Sequence, residues 1–440
     1  MKLVNIHTWG FLIGLAIAGY SSHSLIAQVM TLQQCVDAAL AGNRNLLAGR
    51  NDLQLGLIRQ QEAKSNLMPK VAAAADYKYF IDLPYQLMPL SVFNGPEGQY
   101  KEAQFGVPHN LAVNVQLAMP LYNPQMKAGV KSAEIASEIS RLQVEKAEEQ
   151  VIFEVTTLYY NAQILQHQLM FADSNLINVN LLFASMQLMQ TQGLAKGTDI
   201  DKIDLQKAQL LAQRTQLEGR LLQLLNGLNF VMGRELATPM SVSQDIEPGN
   251  NEAYPVSTSV DARMIQVQNR LLMNELDILK KANGPTVSLL ANYGLTGFGY
   301  FRQPDPFFKI FPIGFIGAQA VYPIWNKTTR QKMAQKEVEI TSNQLKSEQV
   351  LAQNNLQLAN AVVQKNSAAV NIPVLKKQIA LAESVYRQTL LQQRQGTASI
   401  ADILLADNAL REAQTQYLLV LVEYLKADLE LKKASGSIKQ

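Results

Sequence analysis

The sequence predicts a mainly α-helical protein with a membrane β-barrel, in which the order helix, strand, strand, long helical hairpin occurs twice. Two long segments support the helical part. No glycine or proline occurs from Val130 to Gln192, and from Ile324 to Gln395 the one interruption is Pro373, which we expect to kink a helix without ending it. At 1.5 Å per residue, helices of this length span roughly 95 Å or more. Two pairs of alternating segments support the β part.

The N-terminus has the pattern of a secretory signal peptide, which we place at residues 1–27. Lys2 precedes an apolar core from Trp9 to Tyr20, and small polar residues lead to Ala27. The single cysteine, Cys35, excludes an intrachain disulfide. The residues before it do not form a lipobox, so we expect a buried thiol on the first helix. No later apolar run approaches the ~20 residues that a membrane-spanning helix requires.

Composition and histidine usage exclude several functional classes. The chain is 48% hydrophobic and 17% charged, and its net charge of +3 is not concentrated in a basic run, so no nucleic-acid partner is predicted. Of its four histidines, two fall in the predicted signal and the other two, His109 and His167, stand alone. We therefore predict that the protein is not an enzyme and has no catalytic, cofactor-binding or metal site.

The first structural repeat is placed at residues 28–232. Thr31 and Gln34 predict a capping box at the start of a helix whose apolar stripe continues to about Asn66, before Pro69. The other elements of this repeat are strands at about 70–83 and 110–120, and a long helical hairpin that turns at about 193–198. A glycine-, proline- and serine-bearing linker at 233–259 follows.

The second structural repeat, residues 260–440, replays this order. A helix from about Val260 ends near Asn283, before Gly284 and Pro285. The elements after it are strands at about 285–297 and 313–322, and a long helical hairpin that turns at about 395–399.

The predicted strands are apolar on one face and polar on the other. In the first two strands the apolar positions are Val71, Ala73, Ala75, Tyr77, Tyr79, Ile81, Leu83, Leu111, Val113, Val115, Leu117 and Met119. Each strand has about 10 residues, which suits a tilted membrane-spanning strand, and the tyrosines suit an interfacial belt. The alternative is a small soluble sheet with one hydrated face. We favour a barrel, because both strand pairs lie among long helices that could not pack on a soluble sheet of this size. Since four strands cannot close in lipid, such a barrel requires several chains.

The sequence resembles the TolC family of outer-membrane efflux proteins over about residues 30–434. The segments that carry the resemblance are 31–40, 67–69, 119–123, 284–285, 322–326 and the turn 396–404. The resemblance implies a homotrimer in the outer membrane of a Gram-negative bacterium, with a 12-stranded barrel continued by an α-helical tunnel in the periplasm. The linker then belongs to the equatorial region of that tunnel. The implied partners are outer-membrane lipid, a periplasmic adaptor (membrane fusion) protein and an inner-membrane transporter.

The resemblance also indicates the candidate functional residues. It places a periplasmic aperture at Asp402, with Leu405 and Ala398 at two further gate positions that in the family are acidic and arginine. For Asp402 the alternative is a carboxylate that suits the helix dipole without lining a pore. The residues expected to contact the adaptor are Gly193, Gly197, Thr198, Gly396, Thr397 and Ser399, whose alternative role is helix capping.

Two functions remain open from the sequence. One is the passive exit duct of a tripartite efflux or secretion system. The other is a non-conducting coiled-coil structural or adhesive protein of the cell surface. The duplicated amphipathic strands favour the duct, since a stalk needs neither pair.

Overall fold

The structure is a computed structural model that describes residues 28–246, 254, 258–302 and 304–439. The predicted signal peptide and part of the predicted linker lie outside these residues. The elements in chain order are β1 (Gln28–Met30), α1 (Leu32–Gly42), α2 (Arg44–Ser65), β2 (Lys70–Tyr79), β3 (Tyr85–Pro89), β4 (Tyr100–Gln104), β5 (His109–Tyr122), α3 (Pro124–Thr191), α4 (Gly197–Val231), β6 (Met240–Val242), α5 (Val260–Lys281), β7 (Thr286–Tyr300), β8 (Phe307–Val321), α6 (Lys327–Arg394) and α7 (Ile400–Ala434).

Two helices of 68 residues, α3 and α6, form the length of the molecule. Each is roughly 100 Å long. Asn123 and Asn326 cap their first turns through the side-chain oxygen. Pro373 lies inside α6 without ending it. Each long helix folds back onto a helix of 35 residues, α4 or α7. The mainly helical fold and its duplicated order are thus confirmed.

Four strands form one antiparallel sheet in the order β2-β5-β7-β8. The pairing of β5 with β7 joins the two repeats, with Val113 opposite Leu295. Strand β2 ends at Tyr79, earlier than expected, and β8 begins at Phe307, also earlier than expected. Both β2 and β8 are sheet edges, and every residue of these two strands is exposed in the single chain.

The first helix is not continuous, contrary to expectation, but breaks at Asn43 into α1 and α2. The side chain of Asn43 accepts a bond from Leu46 N–H at 3.1 Å and donates to Val231 O at 2.8 Å. The break allows two backbones to cross closely. A Cβ on Gly233, whose φ is +72°, would lie 2.1 Å from the carbonyl oxygen of Gly42. Only glycine fits such an approach.

The segment expected to be a linker contains a strand. Residues Met240–Val242 form β6, which pairs in parallel with β1. Tyr159 of α3 joins the two strands, because its hydroxyl donates to Met30 O at 3.0 Å and accepts from Ser243 N–H at 3.2 Å. A second unpredicted pair, β3 with β4, forms a hairpin within the loop that follows β2.

The buried residues form several clusters along the helices. One surrounds Cys35, Val155 and Leu228 beside the β1–β6 pair. Cys35 is a fully buried free thiol on α1, as expected, and burial raises its pKa to about 11. A second buried cluster lies near the turns of the two helical hairpins, around Ile203 and Ile403. Among the described helices, none is long and apolar enough to cross a lipid bilayer.

Candidate functional site

One face of the four-stranded sheet is apolar on every strand. Its register places Val71, Leu117, Ala291 and Ile316 in a single row that crosses the sheet. Val71 is 66% exposed and Ile316 is 76% exposed. A continuous exposed apolar surface of this kind needs a partner or a lipid environment.

The opposite face carries polar residues on its two central strands and is mostly apolar on β8, apart from Lys309 and Gln319. It carries Asn114 and Gln116 on β5, Asn292 on β7, and Phe311 and Phe315 on β8. The poorer alternation of the fourth strand in the sequence corresponds to these apolar residues on both faces of β8. The sheet thus has one largely apolar face and one mixed face, which suits a wall between lipid and water.

An aromatic cluster lies at the end of the sheet away from the long helices. Its members are Tyr77, Tyr79, His109, Phe301 and Phe308. The hydroxyl of Tyr77 lies 2.7 Å from His109 Nδ1, and Phe308 fills the space left by Gly297 and Gly299. A Cβ on either glycine would come within 2.8 Å of the Phe308 ring. Aromatic side chains with polar tips are typical of a membrane interface.

Both helical hairpins turn with the same backbone geometry. Gly193 and Gly396 end the long helices at φ values of +72° and +75°. The next N–H groups, of Leu194 and Thr397, bond to carbonyls five residues earlier at 2.8 and 2.9 Å. This is a Schellman motif, in which glycine avoids the strain of a left-handed conformation. Gly193 and Gly396 therefore have the helix-capping role that was the alternative to contact with the adaptor.

The structure brings the two turns to the same end of the molecule. One buried cluster packs side chains from all four hairpin helices just above them, including Met186, Ile203, Tyr386 and Ile403. The six residues predicted to contact an adaptor are all exposed in the single chain: Gly193, Gly197, Thr198, Gly396, Thr397 and Ser399. Their contact with a partner stays a prediction.

Asp402 lies in the first turn of α7 and forms a capping box with Ser399. Its Oδ2 accepts from Ser399 N–H at 2.8 Å and from Ser399 Oγ at 2.7 Å. These bonds hold the pKa of the Asp402 carboxyl below its ordinary value. Leu405, one turn along the helix, is 71% exposed. Asp402 is thus a capping residue, and its role in a pore stays a prediction.

Three buried charged side chains are not predicted from the sequence: Asp407, Lys365 and Asp428. Asp407, 2% exposed, contacts Gln206 of α4, and Lys365 pairs with Asp428 at 2.7 Å. The signal for Asp407 is its position within the apolar seam of α7, four residues after Ile403. No group of three or more His, Cys, Asp or Glu side chains among the described residues is placed to hold a metal ion.

No family model matches the sequence, and no curated protein matches it significantly. Solved structures do match over almost the whole chain. The outer membrane protein VceC of Vibrio cholerae has a TM-score of 0.76 at 15% identity, over 92% of this chain and 96% of that one. The CmeC outer membrane channel of Campylobacter jejuni has a TM-score of 0.74 at 13% identity, over 99% and 94%. The open state of the MtrE outer membrane channel of Neisseria gonorrhoeae has a TM-score of 0.71 at 16% identity, over 92% and 88%. This chain therefore has the fold of the TolC-like outer-membrane channels.

Proposed function

We propose that the protein is an outer-membrane channel-tunnel of a Gram-negative bacterium and the passive exit duct of a tripartite efflux or secretion system. The observation that carries this proposal is the sheet. It has one largely apolar face and two unpaired edges, and it continues directly into helices of roughly 100 Å. If the protein were soluble, this apolar face would be exposed to water, which is unfavourable.

The two edges support assembly from several chains. In lipid, the unpaired backbone groups of β2 and β8 each require a partner strand, since no water is present to satisfy them. Pairing β8 of one chain with β2 of the next closes the sheet without edges. Three chains with four strands each give a 12-stranded barrel, wide enough for an open interior. We therefore propose a homotrimer surrounded by outer-membrane lipid.

The partly polar face supports the placement of the lumen. Asn114, Gln116 and Asn292 line the proposed water-filled side, while the apolar row through Val71 and Ile316 faces lipid. The connections from β2 to β5 and from β7 to β8 face outside, and the turns at Gly193 and Gly396 lie in the periplasm. There the exposed turn residues meet a periplasmic adaptor that is bound to an inner-membrane transporter.

Planar-bilayer recording of the purified protein separates this proposal from a non-conducting structural or adhesive role. The duct gives discrete current steps after insertion, once the periplasmic end is open. A stalk gives none, at any voltage or salt concentration. A protein that inserts into the bilayer but never conducts, even when substitutions at the helical turns weaken the packing of the periplasmic end, contradicts the duct.

A further inference from the structure

Asp407 is a carboxylate enclosed where the two helical hairpins pack together. It lies on α7 and is 2% exposed. Apolar side chains of all four hairpin helices surround this level, among them Leu182 of α3, Ile203 of α4 and Leu390 of α6. Burying an ionised carboxylate among apolar groups is costly unless it is fully paired.

The partners of Asp407 compensate for only part of that cost. Its Oδ2 accepts a hydrogen bond from the amide of Gln206 on α4, the opposite hairpin. Arg411 Nε lies 3.0 Å from the same oxygen but is not aligned for a hydrogen bond. The other oxygen of the buried carboxylate, Oδ1, has no hydrogen-bond donor among the described residues.

The other groups near Asp407 leave its charge poorly compensated. On its own helix the cation is Arg411, which lines a cleft of about 550 Å³ between α3, α4 and α7. From α6 comes the buried hydroxyl of Tyr386, whose pKa is raised to about 12 by burial and by the charge of Asp407. From α4 comes the neutral Gln206, and α3 meets the cluster with apolar side chains. Burial accordingly raises the pKa of Asp407 itself, against the opposing effects of Arg411 and Gln206.

We propose that Asp407 is a proton-sensitive latch between the two helical hairpins, whose ionisation favours their separation near the turns and whose protonation holds them together. The packed state strips water from the carboxylate, whereas separation of α4 from α7 rehydrates it. The packed state therefore binds the proton more tightly, and it gains stability as the pH falls through the raised pKa. Each unit of difference in proton affinity changes the ratio of packed to separated hairpins about tenfold.

Under the proposed duct function, separation of the hairpins widens the periplasmic end of the tunnel. The pH dependence of hairpin packing does not rest on that function. The two claims therefore need two readouts, a distance within one chain and a conductance.

The distance is measured by pulsed electron paramagnetic resonance between spin labels at Lys202 of α4 and Thr415 of α7. Both positions are exposed. The full chain is used in detergent, with Cys35 replaced by alanine and with labelled chains diluted by unlabelled ones. Titration from about pH 8 to about pH 3.5 covers raised carboxyl pKa values and extends below the ordinary aspartate value of about 3.9. Channel open probability is recorded over the same range.

We expect acidification to shift the wild-type distance distribution toward the packed population, because the packed state binds the proton more tightly. Asp407→Asn mimics the protonated form, so it stays packed at every pH and lowers open probability. Arg411→Gln removes the one cation, so the midpoint moves to higher pH. The matched control is Asp204→Asn, because Asp204 is exposed and, like Asp407, is the eighth residue of its helix. It should behave as wild type.

Three results would overturn the latch: unchanged distances across the titration, an Asp407→Asn variant that titrates like wild type, or an Asp204→Asn variant that changes as much. Distances that respond as expected in a protein that never conducts would instead leave the latch intact and reject the duct. Thermal unfolding of each variant identifies any loss of folding.

Discussion

Replacing Lys365 by methionine removes the cation from the best-enclosed ion pair of the second hairpin. Lys365 of α6 is 4% exposed, and its Nζ lies 2.7 Å from Asp428 Oδ1 on α7. Tyr254 donates to the same oxygen at 2.7 Å, and Lys432 lies 3.5 Å from Oδ2. Methionine fills the space of the lysine stem, so the change is mainly electrostatic.

The expected loss follows from what stays behind. Breaking a buried pair by removing one partner costs about 3–5 kcal/mol, because the remaining charge is left uncompensated. Asp428 keeps Tyr254 and Lys432, so we expect the lower end, about 3 kcal/mol per chain. The double variant Lys365→Met, Asp428→Leu removes both charges and should recover most of this loss.

Urea unfolding at a fixed protein concentration, followed by far-ultraviolet circular dichroism, measures these differences in the free energy of unfolding. The matched control is Lys426→Met, since Lys426 and Glu430 on α7 are 4.0 Å apart and exposed. Its expected effect is within about 1 kcal/mol. If Lys365→Met costs no more than Lys426→Met, or if the double variant is less stable than the single one, Lys365 does not compensate a buried charge on Asp428.

Three further predictions concern the backbone crossing, the aperture and the topology. In the same unfolding assay, Gly233→Ala should destabilise the protein by more than the ~1–2 kcal/mol of a left-handed alanine, because its Cβ would strike a carbonyl oxygen. The control, Gly219→Ala in the open middle of α4, should stabilise it by about 0.5–1 kcal/mol. Asp402→Ala should lower cation selectivity and block by multivalent cations in single-channel recordings without affecting assembly, and unchanged recordings would restrict Asp402 to capping. A cysteine at Thr198 should cross-link to the adaptor and one at Glu97 should react with an impermeant reagent on intact cells, and the reverse labelling would invert the topology.

The sequence predicts the parts of the fold that depend on local rules. The absence of glycine and proline predicts the long helices, and Asn123 followed by Pro124 predicts where α3 begins. The alternation around Val71 and Val113 predicts two strands of the sheet and the face that each presents. Gly193 and Gly396 mark the turns, because a left-handed residue ends each helix.

What the sequence does not predict depends on contacts between distant segments. The break at Asn43 exists because the backbone at Gly233 passes beside Gly42, and nothing within the helix indicates that crossing. Strand β6 forms only because β1 lies beside it. Asp407 reads as a surface residue until Gln206, two hundred residues earlier, is seen to cover it. Position in the seam was the one available signal, and the polar side chain obscured it.

Electron cryomicroscopy of the detergent-extracted protein shows directly whether several chains close one barrel. We expect a three-fold particle in which β8 of each chain pairs with β2 of the next, closing a 12-stranded barrel above a continuous helical tunnel. A monomer, or an oligomer in which the edges of β2 and β8 remain unpaired, would contradict it.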